Sequence, residues 1–482
     1  MTTIKLFDNI TLQIDTDDTE YLDMMITEFT RSVQGFMFMP QYKSGVWNGK
    51  VCMIDKFRGT FPYGILMDYI RIHKKMFPRE PLQVAPEVKA LFKGPDIDIK
   101  YELKLKPRDY QIDCIEAALN HTKGIIRSAT ASGKSLVIAY IIKNLLDSGN
   151  AQKCIIIVPT TALIAQFIQD LIDYGFDHNK IGMVFAERKQ WDREITISTW
   201  QSLSRNHKKL DMYDCIIVDE THQSKSLEIK KILQKTKKAK YRLGFTGTMH
   251  SDELDNWNTK AYLGPVIREY SSGFLAEEGY ISKAIIHMMN IEYREKWKGD
   301  YHDLRDSIFQ NEFRLKLIKT LINDLDHNVL ILVDKVEKEG EFLKDYLKDV
   351  NKQVVFLSGK DKVDVREHWR KACMKRKDIA LIATYGIFQM GVNIPNLQNI
   401  ILASPFKAKI RVLQSIGRAL RKHADKMSGA QIFDIHDHIK FFEKYGDIRL
   451  RHYDSEGFEI HEHVYHEGTI ISFDLPEDLF EI

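Results

Sequence analysis

A chain of 482 residues, 44% hydrophobic and 11% aromatic, has material for roughly two to four domains with their own cores and is not a mainly disordered polypeptide. Its 70 basic and 67 acidic residues nearly cancel to a formal charge of +3, which, if evenly spread, excludes a polybasic nucleic-acid coat or an acidic binding protein. Cys52, Cys114, Cys154, Cys215 and Cys373 are scattered and form no C-x-x-C pair, so neither a disulfide framework nor a zinc ribbon is expected.

The first segment, MTTIKLFDNITLQIDTDD, alternates apolar and polar residues and turns acidic, unlike a secretory signal. Apolar runs such as Cys154 to Val158 are too short to cross a bilayer. The expectation is a soluble, reduced, cytoplasmic protein without a membrane anchor. Residues 1–100 mix strand-like pieces, one helical piece around Tyr21 to Val33, and turns rich in Gly, Pro and aromatics, which fits a small α+β domain. Charge divides inside it: 1–35 carry net −5 and 36–100 net +5. The basic part interleaves Phe36, Phe38, Tyr42, Trp47, Phe57, Phe61 and Tyr63 with Lys43, Lys50, Lys56 and Arg58. Cations for phosphates beside aromatics for bases suit nucleic-acid contact, although roughly half of those aromatics are expected in the small domain's core.

From Tyr101 the pattern becomes helix-period segments alternating with short apolar runs. GIIRSA, KCIIIVP, ITIST, CIIVDE and YRLGFTG read as buried parallel strands, with KSLVIAYIIKNLL and LIAQFIQDLIDYG as helices between them. After a polar stretch around Tyr293 to Asp306, a linker or an insertion, the alternation restarts. VLILV, QVVFLSG, IALIAT, NIILAS and AQIFDI are its strands, and KEGEFLKDYLKD, VREHWRKACM and IRVLQSIGRALRK its helices. The fold class is α/β: two tandem doubly wound parallel-sheet domains, 101–285 and 286–450, preceded by the α+β domain 1–100 and followed by a tail, 451–482.

Phosphate chemistry sits at strand ends in the first sheet. After GIIRSA, the loop Ala129-Thr130-Ala131-Ser132-Gly133 opens a helix at Lys134 and Ser135, presenting backbone N–H groups and a positive dipole end to an anion. Lys134 there reaches β and γ phosphates and Ser135 holds Mg²⁺, although Ser128 stands where the full pattern has its first glycine. Asp219 and Glu220 follow the strand Cys215 to Val218, placed to hold Mg²⁺ and to orient and deprotonate an attacking water; the alternative is two solvated loop acids. Thr246 and Thr248, around Gly247, either link this site to a second ligand or make a tight turn. In the second domain, Arg418 and Arg421 share a helix face and are suited to stabilise charge on a transferring phosphoryl group; the alternative is a solvated basic face. His461, His463 and His466 lack H-E-x-x-H spacing and fit a terminal strand better than a metal site.

The ordered set ASGKS, DETH, TGT, ATYGIFQMGVNIP and QSIGRALR resembles superfamily 2 helicases and translocases, whose two RecA-like domains bind ATP between them. FMPQYKSGVWNGK at Phe38–Lys50, PTTAL at Pro159–Leu163 and KAKIRVLQSIGR at Lys407–Arg418 resemble the UvsW-type recombination helicases of bacteriophages. The resemblance implies an adenine-recognition element at Arg108 and Gln111, a Walker A loop with Thr130, Gly133, Lys134 and Ser135, and a Walker B pair at Asp219 and Glu220. It further implies arginine fingers at Arg418 and Arg421, contact with ATP and nucleic acid near Gly391, and coupling through Thr246, Thr248 and Gln414. Thr160, Gln201 and Thr384 lie where relatives touch the phosphate backbone, and Lys43, Trp47, Lys50 and Lys56 fall in an implied DNA-binding accessory domain.

The expected function is an ATP- and Mg²⁺-dependent DNA helicase or translocase, monomeric, that regresses forks and migrates Holliday junctions in recombination, repair and replication. Its location would be the bacterial host cytoplasm if a phage encodes it. An RNA helicase or a restriction-system motor is an alternative, as is a binding or annealing protein whose ATPase has decayed. The tail, net −8, leaves +11 on the other 450 residues, so near-neutrality is a cancellation between regions.

Overall fold

The computed structural model describes residues 2–222, 226–249, 252–294, 300–390, 394, 396–405 and 429–469. By its contacts the chain divides into two units, the first holding residues 1–128 and 133–269 and the second 129–132 and 270–482.

In the first hundred residues, alternation builds the antiparallel strands β1 (Thr2–Asp8) and β2 (Thr11–Asp15), with Ile4, Leu12 and Ile14 on the buried face. Strands β3 (Thr30–Ser32) and β4 (Lys50–Cys52) pair as a separate ribbon. Strands β5 (Thr60–Pro62) and β6 (Leu82–Val84) complete a four-stranded sheet, β5-β2-β1-β6. The helix expected around Tyr21 to Val33 runs over Thr19–Glu28, capped by Asp18, and stops there because Thr30–Ser32 are taken into the ribbon. Tyr21 ties it to the helix Leu66–Met76, its hydroxyl 2.8 Å from the Tyr69 hydroxyl and 2.9 Å from His73 Nδ1.

This layer shares a continuous core with the sheet that follows it. Phe29 stacks on Trp257 at 5.0 Å, Arg31 lies over the same indole at 4.9 Å and pairs with Glu253 at 2.8 Å, and Lys260 meets Asp68 at 3.3 Å. The Gly64 amide donates to the Ala261 carbonyl, and a Cβ at Gly64 would fall 1.8 Å from the Lys260 carbonyl oxygen. Only glycine permits that approach.

The first large sheet comprises β7 (Lys123–Ser128), β8 (Cys154–Val158), β9 (Ile181–Phe185), β10 (Arg188–Lys189), β11 (Ile195–Thr199), β12 (Cys215–Val218), β13 (Tyr241–Thr246) and β14 (Val266–Tyr270). Their order is β10-β9-β11-β8-β12-β13-β7-β14, and β9, β11, β8, β12, β13 and β7 pair in parallel. Every residue of β8, β11, β12 and β13 is buried, as expected of strands covered on both faces.

The second unit repeats the plan with β15 (Ala284–Glu292), β16 (Val329–Val333), β17 (Gln353–Leu357), β18 (Ile379–Thr384), β19 (Asn399–Leu402), β20 (Ala430–His438) and β21 (Glu459–His466). The order is β17-β18-β16-β19-β20-β15-β21, parallel at every pairing. Buried guanidinium–carboxylate pairs include Arg314 with Asp437 at 2.9 Å, Arg305 with Glu339 at 2.6 Å and Arg449 with Asp434 at 2.8 Å, the last joined by the Tyr453 hydroxyl at 2.7 Å.

Expected borders move where charge pattern and packing disagree. Position 285/286 falls within β15, whose nine residues all pair with β20. In the polar stretch from Tyr293, a helix capped by Asp300 occupies Tyr301–Phe309 and buries Leu304 and Ile308. The change of charge at 450/451 lies inside the helix Lys440–Ser455, which buries Arg449 and Tyr453, and the acidic stretch continues into β21 beside β15. Charge reports the solvent-facing residues of these elements, not where they pack. No described helix is long and apolar enough to cross a membrane.

The terminal histidines sit on that edge strand. His463 Nε2 is 3.0 Å from Nδ1 of buried His287, whose Nε2 is 2.8 Å from Gln431 Oε1, and His287 is stacked between Phe433 and His461. Burial pushes the His287 pKa down to about 4, so the native state binds fewer protons than the unfolded chain between that value and the ordinary 6.5. Stability carried by neutral His287 is present above pH 6.5 and lost as pH falls towards 4. Thermal midpoints measured across this range should fall more steeply for the wild type than for His287→Leu.

Candidate nucleotide site

Three neighbouring parallel strands, β12, β13 and β7, end on one edge of the first sheet, so the residues following them are neighbours in space. After β7, residues 129–133 turn into the helix Lys134–Asp147. Ala131 at φ 70° and Gly133 at φ 75° adopt left-handed conformations; the first is unusual for a residue with a side chain, and such backbone clusters at ligand sites. The helix presents its positive dipole end to the loop.

Gln111 bridges to this loop. The Arg108 amide donates to its Oε1 at 2.9 Å, closing the start of the helix Asp109–Asn120, and Nε2 approaches the Gly133 carbonyl at 3.4 Å. A Cβ at Gly133 would lie 2.6 Å from that nitrogen. The two motifs, distant in sequence, are thus locked together.

Lys134 Nζ donates to the Ser128 carbonyl at 3.2 Å and lies 3.7 Å from Glu220 Oε1. Asp219 Oδ1 is shielded from solvent and accepts no hydrogen bond in the structure. Burial first, then the neighbouring Glu220 charge, raises the Asp219 pKa to about 7, while Lys134 pulls it down. An orphaned carboxylate oxygen in a dry site is a misfit for the bare protein and fits a hard dication such as Mg²⁺. The Ser135 hydroxyl, 2.9 Å from the Tyr174 hydroxyl, offers a second neutral oxygen donor.

Glu220 itself is left-handed at φ 49°. Its Oε2 lies 3.4 Å from Nδ1 of His222, a side chain with 1% exposure, and the same nitrogen is 2.5 Å from Thr246 Oγ1. The Thr246 hydroxyl is 2.7 Å from the Thr248 carbonyl, to which it donates. A chain Glu220–His222–Thr246–Thr248 therefore joins the ends of β12 and β13. Thr246 and Thr248 both make this tight turn and connect it to the acids, and Thr248 Oγ1 is buried without a partner.

His222 and Tyr174 did not emerge from the sequence as site residues. His222 lay within the DETH motif, but Tyr174 had no signal beyond its place at the end of an amphipathic helix.

Thr160 precedes the helix Thr161–Tyr174 without a side-chain cap, and Gln201 is exposed on the helix Trp200–Ser204; both follow strand ends of the first sheet. Thr384 ends β18 and is 8% exposed. Gly391, Gln414, Arg418 and Arg421 lie outside the described residues.

In the N-terminal layer Lys43, Lys50 and Lys56 are exposed, and Trp47 is half-buried with its indole N–H donating to the Lys50 carbonyl at 2.9 Å. Of the interleaved aromatics Phe61 and Tyr63 are fully buried, fewer than the expected half. The short turns Phe36–Phe38 and Pro40–Lys43 bury no residue, leaving Phe38 and Tyr42 exposed.

Two family models match in tandem. The model for the res subunit of type III restriction enzymes covers residues 104–251, and that for the helicase conserved C-terminal domain covers 314–423. The ATP-dependent DNA helicase uvsW of Enterobacteria phage T4 is 24% identical over 93% of this chain and 96% of its own length. The DNA 3'-5' translocase XPB2 of Sulfurisphaera tokodaii is 26% identical over 75% of this chain and 88% of its own. Among solved structures, a fragment of a putative HsdR subunit of a type I restriction enzyme from Vibrio vulnificus shares the fold at TM-score 0.59, with 19% identity, over 76% of this chain and 70% of that one. Two RecA-like domains in tandem, with the phosphate-loop lysine beside paired acids in the first, place the chain among the ATP-dependent helicases of superfamily 2, with a resemblance to UvsW.

Proposed function

We propose that this helicase is a DNA-stimulated ATPase that translocates on DNA and remodels branched structures, regressing forks and migrating Holliday junctions in recombination, repair and replication. The observation that carries the nucleotide half is the Lys134–Glu220 contact beside the orphaned Asp219 oxygen. The DNA half is supported by the uvsW likeness running nearly end to end and by the exposed Lys43, Lys50 and Lys56 beside exposed aromatics.

In this reading, Lys134 and the amides opening its helix hold the β and γ phosphates, and Gln111 with Arg108 faces the base. Asp219 and Ser135 would hold Mg²⁺, which when bound would supply positive charge against the charge developing on the phosphates. Glu220 accepts a proton from the attacking water, and its left-handed backbone sets where its carboxylate points. Arg418 and Arg421 act as arginine fingers. Thr160, Gln201 and Thr384 contact the phosphate backbone, Gly391 lies between nucleotide and polynucleotide, and Thr246, Thr248 and Gln414 couple the two sites. The restriction-enzyme model over 104–251 favours a second reading, the motor of a restriction system.

ATPase rates with branched DNA, single-stranded DNA and RNA side by side separate these readings: branched DNA should stimulate most. Lys134→Ala should lower ATP hydrolysis at least a hundredfold while DNA affinity stays within about twofold. Mg²⁺ added without nucleotide at pH 8 should raise the thermal midpoint of the wild type and leave that of Asp219→Asn unchanged. Replacing Lys43, Lys50 and Lys56 together by Ala should weaken branched-DNA binding and flatten its salt dependence, since about three phosphate contacts are lost; undiminished affinity would remove this surface from the interface.

A further inference from the structure

The turn Asp55–Thr60 holds a side chain that the proposed reading leaves unused. Phe57 is 100% exposed. A wholly solvated phenyl ring in an ordinary loop would fold back on the surface, because covering it is worth about 2 kcal/mol. Here the turn that carries it is fixed by hydrogen bonds and holds the ring out. Asp55 Oδ1 accepts from the Phe57 amide at 2.9 Å and the Arg58 amide at 3.1 Å. Across the turn, the Asp55 amide donates to the Thr60 carbonyl at 2.7 Å and the Gly59 amide to the Asp55 carbonyl at 2.9 Å. The Ile14 amide of β2 ties the Gly59 carbonyl down at 2.9 Å, and Gly59 turns the chain at φ 59°. Exposed Lys56 and Arg58 flank the ring.

We propose that Phe57 is the stacking platform for one unpaired nucleobase at the branch point of the DNA substrate, with Lys56 and Arg58 gripping the phosphates on either side. This rests on the DNA-remodelling reading. A protein surface would leave two cations flanking the ring to be matched by carboxylates, whereas a polynucleotide supplies an anion at every step and a π-face between successive anions. A rigid turn suits the task, because a platform fixed before binding loses little conformational freedom when the base arrives. The ring belongs to neither the nucleotide site nor the core, so its removal leaves both intact.

The test uses the full-length protein and a fork carrying 2-aminopurine at its first unpaired position. With wild type the fluorescence should be quenched on binding; with Phe57→Ala it should not, and fork remodelling should slow about tenfold. Phe57→Trp should restore both. DNA-free ATPase and the thermal midpoint should be unchanged in all three proteins. Phe57→Ala that quenches and remodels like wild type overturns the proposal, as does a Phe57→Trp that behaves like the alanine variant. If DNA fails to stimulate the wild-type ATPase, the underlying reading fails instead, and the two failures are told apart by that measurement alone.

Discussion

A parallel sheet delivers the C-terminal ends of all its strands to one edge, and everything chemical in the first large sheet depends on that constraint. Charge is costly in strands buried on both faces, and charged residues such as Arg242 and Asp434 within them are hydrogen-bonded, so polar groups collect where the strands stop. Lys134, Asp219, Glu220 and Thr246 meet because β7, β12 and β13 stop together, although the residues span more than a hundred positions of sequence. The same burial that makes the strands stable leaves Asp219 Oδ1 in a dry setting, where its negative charge is expensive without a cation.

Around that charge the chain is held in shapes it would not choose alone. Ala131 and Glu220 are left-handed without being glycine, and buried His222 lies between Glu220 and Thr246. These features aim groups rather than stabilise the fold. By contrast, the buried pairs Arg314–Asp437 and Arg449–Asp434 in the second sheet are closed on themselves and fix helices against strands.

The strands were legible because buried parallel strands must be continuous apolar runs, and GIIRSA, CIIV, YRLGF and VLILV carry no other signal. The phosphate loop and the acids were legible for a related reason: small residues and carboxylates directly after such runs have few structural uses. Borders were harder. Charge suggested a tail beginning at 451, yet Arg449 and Tyr453 bury one face of a helix that crosses this point, and β21 adds to the sheet edge with its acids turned outward. Tyr174 was invisible because its partner Ser135 lies 39 residues earlier, with no periodicity linking them. The exposed aromatics of the N-terminal layer were counted in excess as core because composition does not reveal which turns are too short to bury anything.

The close approach at Gly64 has a mechanical meaning. With a carbonyl of the helix Glu253–Lys260 packed where a side chain would otherwise stand, and Trp257 pinned beneath Phe29 and Arg31, there is no slack between the N-terminal layer and the sheet that carries Lys134. Lysines 43, 50 and 56 and the helix that Lys134 opens therefore lie in one compact unit. A joint packed without room for a single methyl group is a poor place for a hinge, so the N-terminal layer and the helix Glu253–Lys260 behave as one piece.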